Sequence, residues 1–78
     1  MMLEFLENKI NTYAGVIVKG SDKRDAHALG ELTFFMSLRR YLNEEATPQD
    51  IGLLDAINDT LQEAGIIEDR KTFVGFLK

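Results

Sequence analysis

Residues 47–65 read TPQDIGLLDAINDTLQEAG and contain the clearest element boundaries in the chain. Thr47 is a residue type that caps a helix, and the proline after it suits the first helical position. Asp50 adds a carboxylate near the free amides of the first turn. Gly65 can adopt the left-handed conformation that ends a helix. These signals predict a helix over 48–64.

The predicted helix is amphipathic, with its large apolar residues on one face. The other face has Asp55, Asp59 and Glu63 at intervals of four residues, where like charges destabilise an isolated helix by roughly 0.2–0.5 kcal/mol per pair. Such a ladder is typical of an ordinary solvated face, and it is also suited to a basic partner surface. The candidate partner-binding residues are Asp55, Asp59, Gln62 and Glu63.

The ladder belongs to a larger acidic block. From Tyr41 to Asp69 the chain has eight acidic side chains and no lysine or arginine, so the block carries −8 and the remainder +4, although the net charge is only −4. This polarisation is the strongest functional indication in the sequence. It favours association with a protein that has a basic surface. Two alternatives remain: a homo-oligomer in which the +4 portion of one copy meets the −8 block of another, and neutralisation within one chain.

Two further helices are predicted before this block. Met2 to Ala14 has apolar residues at helical spacing, and Gly15 is a natural stop. The β-branched run of residues 16–18 favours a short buried strand. A turn at residues 20–22, with Ser21 or Asp22 as the N-cap, then precedes a long helix that reaches about Leu42.

After Gly65 the pattern changes to short apolar runs on either side of a charged turn. Residues 66–67 and 72–77 are predicted to form a C-terminal β-hairpin. The expected fold is one small, mainly α (α+β) domain spanning residues 1–78, and its element order resembles that of winged-helix domains. This resemblance implies an alternative function, a nucleic-acid-binding regulator that uses Arg70 and Lys71 of the wing.

The long helix has large apolar residues around most of its circumference, which predicts burial on several sides. The remaining strip consists of small residues, which allow another backbone to approach closely. Packing within the chain and self-association as a homodimer or other homo-oligomer both fit this strip. Its members are Ala26, Gly30, Thr33 and Ser37.

Known catalytic and cofactor chemistry finds little support in the sequence. The chain has one histidine, no cysteine and no phosphate-binding glycine loop, so we expect no enzyme, no cofactor and no metal site. No apolar window is long enough to cross a membrane. The absence of cysteine suits a cytoplasmic protein.

Residues 55–69, DAINDTLQEAGIIED, resemble the C-terminal helix-turn of RusA-type Holliday-junction resolvases. In that family a metal-binding aspartate occupies the position that Asp69 would match. The close aspartate pair and the helix lysine of those enzymes are missing here, and so is their strand-rich first half. We therefore expect a non-enzymatic protein-binding module, of regulatory, inhibitory or adaptor type, that docks through the acidic face of helix 48–64.

Overall fold

The structure, a computed structural model, describes residues 2–19 and 22–77. It contains three α-helices and a short C-terminal 3-10 helix, with no strand among the described residues. In chain order the elements are α1 (Met2–Lys19), α2 (Asp22–Leu42), α3 (Pro48–Glu63) and the 3-10 helix (Phe73–Leu77).

The prediction of a strand at residues 16–18 is wrong, because α1 continues through Gly15 to Lys19. Gly15 is exposed, and no atom outside its own helix lies within 4 Å of where a Cβ would be. A glycine inside a helix costs only about 1 kcal/mol. Continuing the helix places Val16 and Ile17 half-buried, whereas an isolated strand would have no partner to bond. The predicted turn residues Gly20 and Ser21 lie outside the described residues.

The prediction of a C-terminal hairpin is also wrong, since residues 73–77 form the 3-10 helix. A two-stranded hairpin without a third strand is marginal in water. Here two amide side chains of α3 bond the C-terminal segment: Gln62 Nε2 donates to the carbonyls of Asp69 and Lys71 at 3.0 and 2.9 Å, and Asn58 Oδ1 accepts from the amide of Phe73 at 2.9 Å. The winged-helix order is therefore not realised in the described chain.

The core brings together one buried side chain from each element. The four are Leu6 of α1, Leu38 of α2, Leu54 of α3 and Val74 of the 3-10 helix. Phe73 and Leu77 also pack against this cluster. In an extended strand Val74 would point to the opposite face from both, so a strand could not place all three on the core. The C-terminal segment is thus held by burial as well as by the α3 amides.

Helices α1 and α2 pack antiparallel, as the Glu7–Arg39 and Tyr13–His27 contacts show. The prediction that α2 is buried on several sides is wrong for its N-terminal half, where Leu29 is 60% exposed. The hydrogen bonds between α2 and α3 lie in the C-terminal half of α2, where Ser37 and Arg40 contact Asp50.

The helix boundaries around the acidic block match the sequence signals. Thr47 and Asp50 form a reciprocal capping box at the start of α3, as predicted. Gly65 has φ +74°, and the amides of Gly65 and Ile66 donate to the carbonyls of Gln62 and Leu61, which is a Schellman ending. The start and the end of α3 are therefore confirmed.

Candidate functional site

The Asp50 carboxylate fixes α3 on the C-terminal half of α2. Asp50 is 2% exposed, and its Oδ1 accepts from Ser37 Oγ at 2.6 Å and from Arg40 Nη2 at 2.7 Å. Its Oδ2 accepts from Arg40 Nε at 2.6 Å and from the Thr47 amide at 2.9 Å. Two oxygens with four donors fill the acceptor capacity of a carboxylate. We call these four residues the Asp50 network.

The Asp50 network links α2 to α3 through hydrogen bonds. The hydrogen bonds from Arg40, from Ser37 and from the Thr47 amide hold the pKa of Asp50 well below its ordinary value. The same contact with Asp50 raises the pKa of Arg40. A carboxylate this weakly basic is a poor proton acceptor, and Ser37 donates to it rather than to an imidazole. The network's effect is to set the direction in which α3 faces.

With α3 held in this way, its acidic ladder faces solvent. Asp55, Asp59 and Glu63 are all exposed, and none of them forms an ion pair with another described residue. The ladder spans eight residues, or about 12 Å along the helix axis. Gln62, the fourth candidate of this face, is half-buried because it holds the C-terminal segment. The exposed part of the predicted site is therefore the three carboxylates.

An open apolar groove runs along α3 beside the ladder. It is lined by Leu53, Ala56, Ile57, Thr60 and Leu61, and has a volume of about 250 Å³. We call this surface the α3 groove. Enclosed sites for small molecules bury most of their ligand in clefts of about 300–1,000 Å³. A shallow, open groove on one helix is better suited to side chains of a docked protein segment.

The ladder and the groove share an edge. Asp59 lies three residues after Ala56, and Glu63 lies three residues after Thr60. These two carboxylates therefore neighbour groove residues on the helix surface. The sequence predicted the acidic row but did not show which apolar residues remain open beside it. Their exposure depends on how α2 and the 3-10 helix cover the rest of α3.

Part of the acidic block is neutralised within the chain. Arg40 pairs with Asp50, and Glu68 lies 3.9 Å from Lys71 in a solvent-exposed contact. An exposed pair of this kind contributes little, typically about 0–1 kcal/mol. The ladder is outside both pairs, so its charge remains available to a partner.

The small-residue strip of α2 is divided by the fold. Ala26, Gly30 and Thr33 are exposed, while Ser37 is buried in the Asp50 network. No atom outside its own helix lies within 4 Å of where a Cβ of Gly30 would be. The prediction that another helix of the same chain packs closely against Gly30 is therefore wrong. Thr33 Oγ1 donates to the carbonyl of Leu29 on its own helix. Self-association through this strip stays a prediction.

The basic residues assigned to the wing lie in the turn before the 3-10 helix. Arg70 and Lys71 are exposed, and the Lys71 ammonium lies 5.8 Å from the centre of the Phe76 ring as well as near Glu68. Without a hairpin in the described chain, they have no wing to project from. The nucleic-acid alternative therefore loses the structural element on which it was based.

No group of three histidine or acidic side chains within 2–19 and 22–77 is arranged to hold a metal ion, including around Asp69. No described helix is sufficiently long and apolar to span a bilayer.

Comparison of the chain with protein-family models, with curated proteins and with solved structures finds no match.

Proposed function

We propose that this chain is a non-enzymatic protein-binding module, of regulatory, inhibitory or adaptor type, that docks on a larger protein through α3. The observation that carries the proposal is the adjacency of the acidic ladder and the α3 groove. Unpaired exposed carboxylates steer and orient a cationic partner, and an open apolar groove beside them supplies area to bury.

The chemistry of this surface defines the partner segment. It is a helix or extended segment with apolar side chains on one face and lysines or arginines along an edge. The cations must be spread over about 12 Å to meet Asp55, Asp59 and Glu63 together. Apolar anchors enter between Leu53 and Leu61. Because exposed charges are screened beyond about 8 Å at physiological ionic strength, association slows as salt rises.

The test compares three forms of the protein as baits in an extract of the native host. The forms are the wild type, the triple variant Asp55→Lys, Asp59→Lys, Glu63→Lys, and a control triple variant Glu44→Lys, Glu45→Lys, Asp69→Lys. The control makes the same change in net charge at exposed acidic residues that are not part of the ladder. Circular dichroism of all three checks that the fold is retained.

Mass spectrometry identifies the captured proteins. We expect a protein that the wild type and the control retain and that the ladder variant loses. Equal retention by all three forms would contradict the proposal. If the wild type retains only nucleic acid, the nucleic-acid-binding alternative replaces it.

A further inference from the structure

A second open groove lies at the other end of the molecule, between α1 and the first turns of α2. Its less exposed lining consists of Tyr13, Val16 and Ala28, and its exposed lining of Lys23, Arg24 and His27; its volume is about 320 Å³. We call this surface the hairpin groove. It combines apolar and basic side chains, as the α3 surface combines apolar and acidic ones.

No ion pair among the described residues neutralises the two cations of the hairpin groove. Within residues 2–19 and 22–77, neither Lys23 nor Arg24 forms an ion pair, and His27 lies 4.0 Å from Glu31 at the limit of one. No carboxylate of the ladder pairs with Lys23 or Arg24 in the same chain, and the Ser37 contact with Asp50 lies fourteen residues after Lys23 on α2. That separation corresponds to about 20 Å along the helix.

The overall shape agrees with this separation. The molecule measures 42 Å along its longest axis and only 24 and 22 Å across. Its radius of gyration is 13.9 Å, whereas a compact domain of this length has about 11.5 Å. Within this elongated body no ion pair joins the basic and acidic surfaces, so a contact between them joins two molecules.

We propose that the hairpin groove receives α3 of a second copy of this chain. This inference rests on the proposed function, because it names a partner for the same α3 surface. The ladder of one copy faces Lys23 and Arg24 of the other, and the apolar row of α3 packs over Tyr13 and Val16. Since the two surfaces differ, the contact is head-to-tail, and it forms open chains or closed rings.

A charge exchange between the two surfaces tests the proposal by sedimentation velocity at low salt. The groove variant is Lys23→Glu, Arg24→Glu. The ladder variant is Asp55→Lys, Asp59→Lys, Glu63→Lys. We expect the wild type to exceed its monomer mass of 8.8 kDa as concentration rises. Each variant alone should stay monomeric. An equimolar mixture should associate again, because the exchanged charges match in both contacts.

Two controls separate this contact from general charge effects. The variants Arg70→Glu, Lys71→Glu and Glu44→Lys, Glu45→Lys, Asp69→Lys make the same net-charge changes elsewhere on the surface. Both should associate as the wild type does. A monomeric wild type, a monomeric mixture, or controls that also lose association would overturn the second-copy proposal. A foreign protein captured through the ladder would still support the proposed function in that case.

Discussion

Replacing Ser37 by alanine tests whether the Asp50 network holds α3 in place. Ser37 is 3% exposed and donates a 2.6 Å hydrogen bond to the ionised carboxylate of Asp50. Removing a hydrogen bond to a charged group costs roughly 1.5–3 kcal/mol, and the better helix propensity of alanine returns up to about 0.5 kcal/mol. The expected loss of unfolding free energy is about 1–2.5 kcal/mol.

Thermal unfolding followed by circular dichroism measures this loss. A domain of this size shifts its melting temperature by about 6 °C per kcal/mol, so Ser37→Ala should melt about 6–15 °C lower. The matched control is Thr33→Ala on the same helix, where an exposed hydroxyl bonds only a carbonyl of its own helix. That variant should lie within about 0.5 kcal/mol of the wild type. Equal melting temperatures for the two variants would refute a closed network in solution.

Three other predictions concern the fold. Gly15→Ala should stabilise the protein by up to about 1 kcal/mol because α1 continues through residue 15, whereas Gly65→Ala, at φ +74°, should destabilise it by about 1–2 kcal/mol. Urea denaturation measures both changes, and a Gly15→Ala variant that is also destabilised would show that α1 stops at Gly15. Leu32→Ala, at a buried position of α2, should cost about 2–5 kcal/mol, and a loss below about 1 kcal/mol would show that the α1–α2 contact is loose. Because folding lowers the pKa of Asp50, its ionisation stabilises the fold above the unfolded-state pKa of about 3.9, and this stabilisation is lost as the pH falls towards the folded-state pKa. The unfolding free energy of Asp50→Asn should therefore fall less steeply below about pH 5 than that of the wild type. Equal slopes for the two proteins would contradict a lowered pKa of Asp50.

The parts of the fold that sequence reasoning predicted correctly depend on short-range signals. The capping box of Thr47 and Asp50 and the left-handed Gly65 each act within one helical turn, so they can be recognised without knowing what packs nearby. The strand and the hairpin failed because short apolar runs fit a helix or a strand equally well. Burial of Val74 and the amide contacts from α3 decided between them.

The Asp50 network was missed for a related reason. Ser37 was assigned to the small-residue strip and Asp50 to the first turn of α3, and only the packing of α2 on α3 brings them together. One signal was available: Ser37 and Arg40 are three residues apart on one helix face, and Arg40 directly precedes the acidic block. The acidic ladder was found because its spacing is local, whereas the apolar groove beside it depends on tertiary packing.

The most direct test of the α3 surface maps where a cationic amphipathic segment binds. The probe is a synthetic helical peptide with leucines on one face and lysines along its edges, added to ¹⁵N-labelled protein and followed by amide chemical shifts. We expect the largest shifts between Leu53 and Glu63, and we expect the variant Asp55→Lys, Asp59→Lys, Glu63→Lys to lose them. Shifts centred on Arg70 to Phe76, or spread evenly over all exposed acidic residues, would contradict it.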